Sequence, residues 1–301
     1  SFIPVEKNVE VMLVTITNTG RMAQTVTPTA AIPLYGRSAD NIRDHRHVTS
    51  LLHRIETTDI GVLVTPTLSF DERGHQVNHM TYYCVGWSGN GEKPVDFYPT
   101  AEDFVGEGGN FERPYAIVKK AEGVKAGTRI EGLEAVGGLH FSEVTLEPEE
   151  ECSYLIFTGI TEDIQEIRNL SKTYTTREMV LEELEKTKAY WQEKVNVAYH
   201  TGDSDFNQFM HWVSFQPILR RIYGCSFLPH HDYGKGGRGW RDLWQDCLAL
   251  LIMNPDGVRQ MLLDNFAGVR VDGSNATIIG SKQGEFVADR NNITRVWMDH
   301  G

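Results

Sequence analysis

The densest group of side chains able to bind or transform a polar ligand is the run Gly236-Gly237-Arg238-Gly239-Trp240-Arg241-Asp242-Leu243-Trp244-Gln245-Asp246. Its glycines let the backbone turn, and a helix is expected to begin inside it. On that helix Asp242 and Asp246 share a face, as do Arg241 and Gln245, because residues one turn apart are neighbours. Like charges at that spacing repel, so an arginine or ligand hydroxyls must offset them. Tryptophan beside Asp, Arg and Gln suits a sugar: the ring covers the C–H face of a pyranose while the charged groups pair with its hydroxyls. A plain helix N-terminus, with acids set favourably against the macrodipole, reads the same way.

A second candidate is Asp299, close to Trp297 and after the polar stretch Asp289-Arg290-Asn291-Asn292. A carboxylic acid desolvated by tryptophan has a raised pKa, which suits a general acid. A surface aspartate beside a tryptophan is the commoner case. The run Gly234-Lys235-Gly236-Gly237-Arg238-Gly239 lacks the preceding strand and the Lys-Ser/Thr pair of a phosphate-binding loop and reads as a connector. His230-His231-Asp232 has no partner cluster, so no metal site is expected.

The chain carrying these groups has 301 residues, 40 % of them hydrophobic and 23 % charged, as in globular proteins. A formal net charge of −12 argues against nucleic acid, whose phosphates require a basic face. The longest apolar run, Cys247 to Met253, is far too short to span a bilayer, and the opening residues lack a charged-then-apolar pattern, so secretion is not expected. Cys84, Cys152, Cys225 and Cys247 are scattered without zinc spacing, as expected for reduced thiols in a cytoplasmic protein.

The elements that must position these groups divide by period. Short β-branched and aromatic runs separated by turn signals predict strands at Val9 to Thr17, Thr25 to Leu34, Val48 to Ile55, Gly61 to Ser69, Met80 to Trp87, Gly138 to Leu146 and Cys152 to Gly159. Many strands with few helices predict an antiparallel β-sandwich over residues 1–172. A helical linker follows, 173–200, opened by a capping box at Thr175 and Glu178 and striped by Val180, Leu184, Thr187 and Trp191. Helices are expected from Ser204 to Tyr223, with Phe206, Phe209, Trp212 and Ile222 as core and Pro217 as a kink or break. Two more follow, Arg241 to Met253 and Pro255 to Phe266, forming a hairpin. Residues 201–301 thus read as the opening of a larger helical domain.

Together these segments resemble glycoside hydrolase family 94, the cellobiose, cellodextrin and β-1,2-oligoglucan phosphorylases. Val11 to Gly20 (VMLVTITNTG) resembles the opening sandwich strand, Phe104 to Ala116 (FVGEGGNFERPYA) a loop leading to an Arg-Pro pair, and Phe206 to Tyr223 the first barrel helix. Gly239 to Asp246 is similar to the signature G-[YFW]-R-D-x-x-Q-D, and Trp297-x-Asp299 follows in order. RDLWQD, Asp272 to Thr277 (DGSNAT) and WMDHG are closer to the oligoglucan phosphorylases, without separating β-1,2 from β-1,3 enzymes.

The resemblance implies a β-sandwich, a helical linker and the opening helices of a six-hairpin (α/α) barrel. It implies that Arg241 and Asp246 hold hydroxyls of the glucosyl unit, that Trp297 walls that subsite and that Asp299 protonates the glycosidic oxygen. Asp242 and Gln245 would support them. The partners would be a β-linked gluco-oligosaccharide and inorganic phosphate as co-substrate, with no cofactor, metal, nucleic acid or membrane. A homodimer stays open. An inverting hydrolase of the same plan, or a non-catalytic glucan-binding module, are the rival readings.

Overall fold

The computed structural model describes residues 1–36, 46–71, 74–223, 238–276, 278–279 and 286–287. They fall into two compact units, Ser1–Thr187 and Lys188–Gly301.

The first unit opens with β1 (Val9–Thr17), β2 (Gln24–Val26), β3 (Thr29–Leu34), α1 (Arg46–Leu51), β4 (Arg54–Thr57), β5 (Gly61–Val64), β6 (Leu68–Asp71), β7 (Gly74–Val77) and β8 (Thr81–Ser88). It continues with β9 (Asp96–Thr100), α2 (Ala101–Val105), α3 (Tyr115–Lys119), β10 (Arg129–Glu131), β11 (Ala135–His140), β12 (Val144–Leu146), β13 (Glu151–Thr161) and α4 (Ile164–Thr173). The main sheet has six strands in the order β1-β13-β8-β5-β4-β10, and a second sheet has three, β3-β11-β9. Their pairings are antiparallel throughout.

The alternation of a strand explains how the main sheet is buried on both faces. Along β8, Tyr82 and Cys84 enter one cluster with Phe97, Ala135 and Leu139 of the smaller sheet. Tyr83, Val85 and Trp87 point the other way, into a cluster with Ile167, Leu170 and Tyr174. β13 divides likewise, Tyr154 and Ile156 against Leu155 and Phe157. The two sheets approach so closely at Gly137 that a Cβ there would lie 2.2 Å from Cys84 Cβ. The unit is therefore a sandwich whose main sheet carries helical cover on its second face. Burial pushes the Cys84 thiol up to about 12, an inert core group.

Several sequence expectations need correction. The run Val48 to Ile55 is not one strand: α1 takes its first half and β4 begins at Arg54. Thr25 to Leu34 is split into β2 and β3 around Pro28, which has no N–H for a ladder. Gly61 to Ser69 and Gly138 to Leu146 likewise each divide into two short strands. β9, β10 and the short helices α2 and α3 carry no strong period of their own.

His53 is 2 % exposed and held in one tautomer. Its Nδ1 lies 3.1 Å from the Leu133 carbonyl, and the Gly36 amide donates to Nε2 at 3.2 Å. Burial lowers its pKa from the ordinary 6.5, outweighing the opposing effects of Leu133 and Glu134. The unfolded chain thus takes up this proton first as pH falls, so the contribution is full above 6.5 and lost below it. Denaturation between about pH 7 and pH 5 should show this loss, and His53→Gln, which does not titrate, should reduce its steepness. Parallel curves for the two proteins would refute the assignment.

α5 (Arg177–Lys194) runs from the first unit into the second. Its N-terminal hydroxyl acceptor is Thr176, 3.5 Å from the Met179 amide, rather than Thr175, whose Oγ1 lies 3.3 Å from Met179 Sδ. On the expected stripe Val180 and Thr187 are buried, and Leu184 and Trp191 partly so.

The second unit contains α6 (Ser204–Tyr223), β14 (Arg238–Gly239), α7 (Trp240–Met253), α8 (Val258–Phe266), β15 (Ile278–Ile279) and β16 (Phe286–Val287). α7 packs against both α6 and α8. Its core joins Val195, Ile218, Trp240, Cys247, Leu250 and Val258. Phe206, Phe209 and Trp212 are exposed rather than core; α6 instead buries Ser214, Pro217 and Ile218. The Ile222 side chain lies outside the described residues. α6 continues through Pro217 without a break, although proline has no N–H to offer the Val213 carbonyl. α8 begins at Val258, after Gly257 at φ 75°, so Pro255 sits in the preceding turn rather than the first helical turn. Among the described residues, no helix is long and apolar enough to cross a membrane.

Candidate functional site

α7 forms where the glycine-rich run gives way to Trp240, and it carries the polar residues singled out in the sequence. Its tryptophans join the core of the second unit. Trp240 is 6 % exposed, donates from Nε1 to the Asn265 carbonyl at 3.0 Å, and accepts at its own carbonyl from Asn265 Nδ2 at 3.3 Å. Trp244 packs edge-on against Trp240 and Phe266, with centroid separations of 5.4 and 4.6 Å. These rings fasten α7 to α8.

The opposite side of α7 is different. Gln245 and Asp246 line a cavity of about 550 Å³ with Ala249, Ile252 and Met253 of the same helix. α6 contributes Val213, Ser214, Gln216, Pro217 and Arg220, and Val197 and Tyr199 complete it. That volume lies within the roughly 300–1,000 Å³ usual for small-molecule sites. The lining mixes amide, hydroxyl, guanidinium and carboxylate groups with aliphatic carbon, the composition a polyhydroxylated ligand needs.

The central polar feature is an ion pair absent from the sequence reading. Arg220 Nε lies 2.8 Å from both Asp246 carboxylate oxygens, and its Nη2 donates to Oδ1 at 2.6 Å. The side chains are 25 % and 6 % exposed. Gln216 Oε1 accepts from Arg220 Nη1 at 3.1 Å, one helical turn back. The positive charge that the Asp242/Asp246 spacing calls for thus reaches Asp246 from α6. The neighbouring Arg221 faces other work: it donates to the Asn254 carbonyl at 3.1 Å and to the Asp256 carbonyl, holding the α7–α8 turn.

Of the sequence candidates, Gln245 and Asp246 are therefore brought to one cavity. Arg241 is exposed on α7 and does not line it. The backbone of Asp242 lies in the first turn of α7, but its side chain is outside the described residues, as are Trp297 and Asp299 altogether. So are the connector 234–237 and His230-His231-Asp232. Within the DGSNAT segment, Asp272 to Ser274 form a tight turn: the Ser274 amide and hydroxyl donate to Asp272 Oδ1 at 3.0 and 2.7 Å, and Thr277 lies outside the described residues. Those bonds, led by the hydroxyl, hold the Asp272 carboxyl below its usual range.

Arg220, Gln216 and Tyr199 were not marked by sequence. The one usable signal was the Gln216/Arg220 spacing, which puts an amide and a guanidinium on one face of α6 ahead of an acidic helix.

Comparison with known proteins adds two findings. The glycosyl hydrolase 94 supersandwich domain model matches residues 1–177, which contain the sandwich and α4. Over 203 residues the chain is 27 % identical to the cyclic beta-(1,2)-glucan synthase NdvB of Rhizobium meliloti (strain 1021). That alignment takes in 63 % of this chain and 6 % of the relative, so the chain spans a small part of that protein's length.

Proposed function

The chain belongs to glycosyl hydrolase family 94, and on that premise we propose that the protein carrying it cleaves a β-linked gluco-oligosaccharide with inorganic phosphate, releasing α-glucose 1-phosphate. The observation that carries this reading is the order of parts: the supersandwich match over 1–177, then α5, then the Gly239–Asp246 signature leading into α7, whose Gln245 and Asp246 border a cavity of mixed polar and apolar lining. In this reading α6, α7 and α8 are opening helices of an (α/α) barrel. Asp246 and Arg241 contact the terminal glucosyl unit with support from Asp242 and Gln245, Trp297 walls it, and Asp299 is the general acid.

The chemistry asks for little more from the protein. An inverting hydrolase needs an acid and also a base that activates water. Phosphate arrives already ionised and attacks the anomeric carbon itself. The C1–O bond to the aglycone breaks as the phosphate O–C1 bond forms, and Asp299 gives its proton to the departing oxygen. Attack from the face opposite a β-linkage leaves the phosphate α. No cofactor is consumed. The relative's name, a β-1,2-glucan synthase, makes a β-1,2-linked substrate the first to test. The reaction also runs in reverse, lengthening a glucan from glucose 1-phosphate, which is compatible with that name.

Incubation with β-1,2-gluco-oligosaccharides should release glucose 1-phosphate only when phosphate is supplied. Free glucose released without phosphate would replace this reading with the hydrolase. Glucan affinity with no turnover in either direction would replace it with a binding module.

A further inference from the structure

An ion pair whose carboxylate is buried and whose guanidinium is partly so needs a reason. Removing both charges from water costs several kcal/mol per ion, and apolar residues of similar volume often stabilise a fold as well. Arg220 and Asp246 nevertheless meet at the wall of a cavity, on two helices, with Gln216 bracing the guanidinium from behind. Its contacts reach both carboxylate oxygens, so it fixes where the charge sits and also how the carboxylate plane is turned. A lone ammonium, a point charge on a flexible stem, would supply the first but not the second.

We propose that Arg220 is a positioning residue: with Gln216 it sets the orientation in which Asp246 meets a glucosyl hydroxyl in the α6–α7 cavity. This rests on the glucan-handling reading above. Arg220 acts through Asp246 and touches no reacting atom. The order of support runs from Gln216 to Arg220 to Asp246, and Pro217 lies beside Gln216 in the same cavity wall. The ligand class is a neutral β-linked glucose unit, because the anchoring carboxylate accepts hydroxyl hydrogens while its charge is already matched.

The test is calorimetric titration of the full chain with a β-1,2-linked glucose disaccharide, with circular dichroism and thermal midpoints reporting the fold. Arg220→Lys keeps the charge and loses the fork, and it should weaken the dissociation constant by about tenfold. Gln216→Ala removes only the brace and should weaken it less, in the same direction, with the fold intact. Should Arg220→Lys fail to fold, Gln216→Ala still decides the matter. Binding by both variants as tight as in the unsubstituted chain overturns the proposal, and so does absence of disaccharide binding by the unsubstituted chain. The two readings fail differently. Arg220-dependent binding without phosphate-dependent release sinks phosphorolysis alone, whereas phosphate-dependent release indifferent to Arg220→Lys sinks the positioning role alone.

Discussion

Replacing Asp299 with asparagine should lower phosphorolysis of an unactivated β-glucan by roughly 10²–10⁴-fold, the usual contribution of a positioned general acid. Asparagine has nearly the same shape but no acidic proton to transfer, so the sugar oxygen must depart as an alkoxide. Interactions made equally with substrate and transition state should persist, which keeps glucan affinity largely unchanged. A donor whose leaving group needs no protonation separates the roles further. β-Glucosyl fluoride should be turned over by Asp299→Asn and the unsubstituted protein at comparable rates, because fluoride leaves without an acid. Loss on both donors would move Asp299 from proton transfer to binding or folding. Full activity on the natural glucan would remove it from the mechanism.

The reach of the sequence differed between elements for physical reasons. β1 could be drawn from Val9 to Thr17 and α6 from Ser204 to Tyr223 because each is long and bounded by polar turn residues. The β-branched residues of Val48 to Ile55 fit a strand locally, whereas the chain spends Val48 and Thr49 on α1 before β4 pairs with β5 and β10. Propensity yields there to tertiary pairing. On α6 the aromatic spacing of Phe206, Phe209 and Trp212 suggested a core stripe, but burial follows the face that meets α7, and that face carries Ser214, Pro217 and Ile218. Asp246 and Gln245 were legible as chemistry because they sit in a short signature. Arg220 was not, because its partner lies 26 residues away on another helix, and no local period encodes such a pairing. The need for a counter-charge was readable. Its source was not.

Removing that counter-charge gives the second large effect, on stability. Arg220→Met should destabilise the second unit by up to about 3–5 kcal/mol, because it takes the guanidinium away from a carboxylate that is largely out of water. Adding Asp246→Leu removes that charge too and should bring stability back toward the original, since a packed apolar pair avoids both desolvation penalties. Urea unfolding followed by tryptophan fluorescence suits the measurement, as Trp240 and Trp244 both lie in the α7–α8 packing. Disaccharide binding should not return with stability in the double variant. That combination would place the pair in ligand recognition, with folding the part that apolar side chains replace. A double variant as unstable as Arg220→Met would mean the pair serves the fold through geometry that hydrophobic contact does not reproduce. A double variant that regained glucan binding would take Asp246 out of the site.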